Sequence, residues 1–215
     1  TLRTLTATLC GPVLPGTVEI TVEALRIGSG TAVYAARAVQ AGEVQAHAVA
    51  VLGKGRKGVA AGPSWVELAG AADMPDWRTV EPLPPMGALG PVFTQHFEYR
   101  PTGPLPYSHP EQARAAGWVR MLEPGATRDA AWVIGSVDAW WPAAISRFDG
   151  PRPIATIAFM VEIIDPTEGL DPAAPVFHEA HAMTARDGFV SERRTLRGED
   201  GRLLVINEQT FVIIR

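Results

Sequence analysis

Three polar residues stand in apolar stretches of this sequence, where a polar side chain needs a reason to be. Asp138 lies in the run from Asp129 to Phe148, in which Val133, Val137, Trp140 and Ala144, flanked by Ile134, Trp141 and Ile145, recur at helical spacing. The run is apolar on nearly every side, which predicts a buried helix with Asp138 on the face of Ile134, Trp141 and Ile145. Burying a lone carboxylate is costly, so Asp138 is either paired at a helix irregularity or placed for chemistry. Pro142 supplies an irregularity: lacking an N–H, it leaves the carbonyl of residue 138 unbonded and kinks the helix beside the carboxylate. Gln209 sits in a strand rich in Val, Ile and Leu, where a neutral amide can both donate and accept a hydrogen bond. An ordinary polar residue on a solvent face is the other reading, and parity does not decide, because Asn207 shares one face with Gln209 and Glu208 the other with Thr210. Thr156 reads as lying on one strand face between Ile154 and Ala158. Threonine favours strands in any case, so chemistry alone singles it out least.

Other signals are weaker. There is no Gly-x-Ser-x-Gly elbow, and Cys10 has no histidine near it in sequence, so a covalent nucleophile is not evident. His178 and His181 flank Glu179, yet residues three apart on a strand face opposite sides, so no metal site is expected. The run Gly53-Lys54-Gly55-Arg56-Lys57-Gly58 is the densest in positive charge, either a phosphate contact or a solvated loop, and its glycines are not in the order of a nucleotide-binding loop. Trp132, Trp140, Trp141 and Phe148 fill a core or wall a tunnel.

These residues must be positioned by a folded core. The 215 residues are 47% hydrophobic and 20% charged, which excludes disorder and a collagen-like fibre. Nineteen basic against 23 acidic residues give a net charge of -4, contrary to the basic balance of a nucleic-acid binder. A single cysteine fits a reducing compartment, no stretch has the length of a membrane span, and a cytoplasmic location is expected. Alternation and turn residues predict strands over 4–10, 17–25, 31–40 and 43–52, and a second meander over 152–163, 174–185, 188–197 and 202–214. Between them a stretch rich in Gly and Pro carries a strand over 92–99, with another over 117–122. The expected units are a first repeat at 1–53, a linker at 54–91 and a second repeat at 92–215 with its helix near 129–148. Counted from the turn glycines Gly42 and Gly201, the counterpart of Gln209 in the first repeat is Ala50, so only the second half is expected to be chemically active.

A long apolar helix before a curved antiparallel meander, with the meander present twice, resembles the double hotdog fold of the acyl-CoA thioesterase II-like family. The resemblance rests on Ser136-Val137-Asp138-Ala139-Trp140-Trp141-Pro142, on Ile154-Ala155-Thr156-Ile157, and on Gly201-Arg202-Leu203-Leu204 running to Glu208-Gln209-Thr210-Phe211-Val212. It implies an α+β fold with two repeats of curved antiparallel sheet around a long central helix. The first repeat, which opens directly on a strand at Thr1, is expected to lack an N-terminal strand and helix. In the family an Asp near the helix end, a Thr or Ser on the next strand and a Gln on the last strand hold the attacking water. The resemblance therefore implies Asp138, Thr156 and Gln209 as the catalytic set, an acyl-CoA thioester as substrate, and no cofactor beyond the coenzyme A of that substrate. It also makes Lys54, Arg56 and Lys57 candidates for the coenzyme A phosphates. Two alternatives stand beside hydrolysis: a noncatalytic acyl-CoA or lipid-binding protein, and a hydratase, which would want a histidine after Asp138 that the sequence lacks. The repeats are expected to pair through one continuous sheet, and further homo-oligomerisation is left open.

Overall fold

The computed structural model describes residues 1–56, 74–85, 90–165 and 170–214. Four strands come first: β1 (Leu2–Leu9), β2 (Glu19–Ile27), β3 (Thr31–Gln40) and β4 (Glu43–Gly53). β5 (Phe97–Pro101) and β6 (Arg114–Met121) precede the α-helix α1 (Ala130–Asp138), and a second set of four follows: β7 (Ile154–Ile163), β8 (Val176–Arg186), β9 (Phe189–Arg197) and β10 (Leu203–Ile213). All ten form one sheet in the order β2-β3-β4-β1-β7-β10-β9-β8-β6-β5. The two opening strands β1 and β7 pair antiparallel at its centre, Leu5 opposite Val161 and Ala7 opposite Phe159. Each set then fans outward in the same sense, so the expected continuous sheet is what forms.

Turn chemistry fixes the hairpins. Ala41 and Gly42 have φ of 53° and 82°, and Asp187 and Gly188 have 54° and 84°. Two successive left-handed residues make the hairpin turn whose twist matches that of the flanking strands.

Following the register across the sheet sorts the side chains. Phe159 and Val161 of β7, Asn207 and Gln209 of β10, Glu192 and Arg194 of β9, and Ala180 of β8 point to one face, and α1 packs there through Val133 and Val137. The same face of the first half carries Ile20, Val22, Ala36, Ala48 and Ala50, and no described element covers it. On the opposite face of the second half, Met74, Trp77 and Val80 pack on Ala116, Trp118 and Phe177. Arg100 holds this crossing segment by donating to the carbonyls of Trp77 at 2.8 Å and Val80 at 3.0 Å.

Three expectations change. The strand expected over 92–99 begins only at Phe97, because Val92–His96 is a 3-10 turn closed by the Thr94 hydroxyl donating to the Pro91 carbonyl at 2.7 Å. The strand expected over 117–122 is β6, which starts earlier, at Arg114. The long helix near 129–148 is two shorter pieces: α1 ends at Asp138, and a 3-10 segment, Ala143–Arg147, starts after Pro142, whose ψ of 135° is extended. Proline accounts for the break, since it offers no N–H to the carbonyl four residues back and its ring clashes there. The helical spacing of Trp140 and Trp141 reflects a different constraint. Trp140 is packed against β6 at Gly117, where φ is 155° and a Cβ would lie 2.6 Å from the indole and 2.4 Å from the Arg100 carbonyl oxygen. Only glycine lets the tryptophan sit there.

Candidate active site

The break between α1 and the 3-10 segment is where the polar groups gather. An α-helix leaves its last carbonyls without intrahelical partners, and here side chains from the sheet supply them. Arg194 Nη1 donates to the Val137 carbonyl at 3.1 Å, and the buried Tyr99 hydroxyl donates to the Ala139 carbonyl at 2.9 Å. Burial also pushes the Tyr99 phenol well above its ordinary range, so it remains a donor. Across the break, the Ala143 N–H donates to Glu192 Oε2 at 2.7 Å.

Asp138 is the last residue of α1, and its side chain is 49% exposed. The expectation of a buried Asp138 sharing a helix face with Trp141 and Ile145 is thus corrected: the helix stops before those residues are reached. The carboxylate is paired on one oxygen only. Oδ1 accepts from Gln209 Nε2 at 2.8 Å and from Arg194 Nη1 at 3.2 Å, whereas Oδ2 makes no hydrogen bond to any described residue. Gln209, buried in the sheet, spends its second amide proton on Asn207 Oδ1 at 2.9 Å, and its Oε1 accepts from Thr156 Oγ1 at 3.2 Å. The amide orientation is fixed from behind, because Asn207 Nδ2 donates to the Met160 carbonyl at 2.7 Å and so turns its own oxygen toward Gln209.

The structure therefore brings Asp138, Thr156 and Gln209 into one hydrogen-bonded cluster. Thr156 reaches it by a route alternation does not reveal. The β7–β10 register slips between Thr210 and Phe211, leaving Ile157 as an extra residue, so Thr156 lies on the face of Phe159 and not, as expected, on that of Ala158. The basic run is elsewhere. Lys54 and Arg56 are exposed beyond β4, beside the end of the sheet where Thr4 pairs with Glu162. Glu162 is six residues from Thr156, about 20 Å along an extended strand, and neither basic residue lines the cavity at Asp138. Lys57 lies outside the described residues. Ala50 falls between Leu5 and Tyr34 in the sheet, in an apolar stretch.

A cavity of about 500 Å³ opens at the cluster. Phe93, Tyr107, Trp140, Trp141, Ile145 and Phe211 give it an apolar wall, and Asp138, Thr156, Arg152 and Arg194 its polar groups. Gln209 stands behind these, touching the cavity only through its partners. His178 is fully buried and stacks on Trp140 at 5.4 Å with the rings 10° from parallel. Burial first, and the Arg194 guanidinium second, hold its pKa well below the usual histidine range against the opposing pull of the Val137 carbonyl, so it is neutral. His181, on the other face, pairs with Glu179 at 3.3 Å.

Sequence reasoning missed Glu192 and Arg194, a buried charged pair of which Arg194 bonds to Asp138. Their signal in Phe189-Val190-Ser191-Glu192-Arg193-Arg194 is faint, since charge or polarity appears on both faces of β9 and alternation picks out neither.

The sequence pattern describing the acyl-CoA thioesterase C-terminal domain matches residues 66–213, and that of the acyl-CoA thioesterase N-terminal domain matches residues 1–53. The chain belongs to the acyl-CoA thioesterase family. As a member it is a thioester hydrolase, and its fold agrees. A hot dog fold protein of Alicyclobacillus acidocaldarius is similar over 100% of this chain and 79% of its own, with a TM-score of 0.83 at 21% identity. An acyl-CoA thioesterase II from Mycobacterium marinum is similar over 99% of this chain and 80% of its own, with a TM-score of 0.70 at 14% identity. At these identities the likeness speaks to fold. A comparison with curated protein sequences gives no match. Among the described residues, no helix is long and apolar enough to cross a membrane.

Proposed function

We propose that the cavity binds an acyl-CoA thioester and that Asp138 acts as general base toward a water held between its Oδ2 and the Thr156 hydroxyl. The observation that carries this reading is the asymmetry of the carboxylate: one oxygen is committed to Gln209 and Arg194, while the other, at the wall of the cavity, has no hydrogen bond to a described residue. A base needs a free lone pair facing its substrate, and an orienting bond to the other oxygen keeps it aimed. Gln209 then works through its partners, since both of its amide protons are already spent on Asp138 and Asn207. The water adds to the thioester carbonyl as Asp138 takes its proton. Collapse of the tetrahedral intermediate breaks the C–S bond, giving the free acid and the coenzyme A thiolate, which takes up a proton. The wall of Trp140, Trp141, Phe93 and Ile145 suits an apolar acyl group and keeps bulk water from the carbonyl.

A panel of acyl-CoA esters from short to long chains, with a thiol reagent reporting free coenzyme A, tests the proposal. Release from at least one chain class, at a rate proportional to enzyme, is expected. Saturable binding with no release from any member would favour a noncatalytic acyl-CoA-binding protein.

A further inference from the structure

Behind the proposed base lies a buried pair of opposite charges, of which the reaction above has used one contact, from Arg194 to Asp138 Oδ1. Glu192 and Arg194 are two residues apart on β9 and so share a face, with side chains 0% and 1% exposed and Arg194 Nε donating to Glu192 Oε1 at 2.8 Å. Each has a second attachment. Glu192 Oε2 takes the Ala143 N–H, the first of the 3-10 segment, while Arg194 Nη1 reaches the Val137 carbonyl and Asp138 Oδ1 at the last turn of α1. The pair therefore spans the helix break at Pro142 and grips both sides of it. The flat guanidinium also lies over the Phe211 ring, 5.3 Å from its centroid, which fixes its plane.

Filling this space with apolar side chains would avoid the cost of removing two charges from water, and buried ion pairs are commonly no more stabilising than such replacements. What an apolar pair cannot do is hold a carboxylate. Among the described residues that hydrogen-bond to the pair, Asp138 is the exposed one, nearly half open to solvent, and the contact is to the oxygen that faces away from the proposed water site. Glu192 in turn holds the guanidinium, because its Oε1 accepts from Arg194 Nε at 2.8 Å while its Oε2 is held by the Ala143 N–H at 2.7 Å.

We infer that Glu192 and Arg194 are positioning residues for hydrolysis: the pair ties together the two sides of the helix break, sets the rotation of the Asp138 carboxylate and directs Oδ2 to the cavity. The inference rests on the thioesterase reading proposed above.

Arg194→Lys, Arg194→Ala and Glu192→Gln, assayed with the best acyl-CoA of the panel and checked for fold by near-ultraviolet circular dichroism, test it. Lysine keeps the charge but lacks the fork that reaches Glu192, Val137 and Asp138 together. Each variant is expected to lose kcat by about 10-fold to 100-fold with KM within about 3-fold of wild type, since the two side chains are only 1% and 0% exposed and the apolar wall of the cavity is unchanged. Guanidinium ion added to Arg194→Ala should restore part of the lost kcat, and sodium at equal ionic strength should not. A folded Arg194→Lys or Glu192→Gln with wild-type kcat would overturn the inference, as would a folded Arg194→Ala deaf to guanidinium. If Arg194→Ala does not fold, the other two decide by the same criterion. A wild-type protein that releases coenzyme A from no thioester overturns the thioesterase reading itself, an outcome distinct from active enzyme with indifferent variants.

Discussion

Asp138→Asn is expected to lower kcat by on the order of 100-fold or more while leaving acyl-CoA affinity close to wild type. Asparagine keeps the size of the side chain, and its carbonyl oxygen can still accept from Gln209 Nε2 in the place of Oδ1. What it cannot do is accept a proton from water. The amide nitrogen would then occupy the Oδ2 position and present donors to the cavity, where the base had a lone pair. Binding should persist, because the apolar wall of Trp140, Trp141 and Phe93 is untouched. Turnover by coenzyme A release and affinity by calorimetry, on the same preparation, check both halves. Wild-type turnover would remove Asp138 from the base role, whereas loss of affinity in step with turnover would make it a binding residue.

Gln209→Ala should cost roughly 10-fold to 100-fold in kcat, although its side chain does not line the cavity. It removes three hydrogen bonds at once, to Asp138, Asn207 and Thr156, and leaves the two groups at the proposed water site without their common tether. Asn207 Oδ1 is left buried without this donor, so a lower melting temperature should accompany the loss. The decisive variant is the double one. If Gln209 acts by aiming the Asp138 carboxylate, little is left to aim once the carboxylate is gone, and Asp138→Asn with Gln209→Ala should cost clearly less than the product of the single losses. Multiplicative losses would mean that the two residues act on separate steps.

The sheet was legible because alternation, turn glycines and the repeated outline of the two meanders agree with one another. The turn pairs at Ala41-Gly42 and Asp187-Gly188 adopt the left-handed geometry that such dipeptides favour. The helix was legible in place but not in length. Trp140 and Trp141 keep the apolar spacing past Asp138, yet Trp140 is placed by its fit over Gly117, and a pattern of hydrophobicity cannot tell that from a helix turn. Pro142 was the better guide, and the carboxylate does sit beside the break it causes. Thr156 joins the cluster through a bulge, which alternation hides by shifting one residue to the other face. Glu192 and Arg194 were invisible for a related reason: Arg193 and Ser191 beside them make β9 polar on both faces, so burial of the pair follows from the register against β8 and β10 and from nothing local. A dense cluster of charge such as Lys54 and Arg56 is conspicuous in sequence, whereas its distance from Thr156 along the sheet follows only from strand register.

In the proposed mechanism water attacks the thioester directly, with Asp138 taking a proton and forming no bond to the acyl group. Single-turnover hydrolysis in water labelled with the heavy oxygen isotope, with enzyme in excess over acyl-CoA, tests it most directly. Direct attack predicts a product acid carrying one heavy oxygen and a peptide containing Asp138 that carries none. Heavy oxygen in the Asp138 carboxylate, with unlabelled acid released, would show that the aspartate had attacked the carbonyl to form an anhydride, and would contradict the role assigned to it.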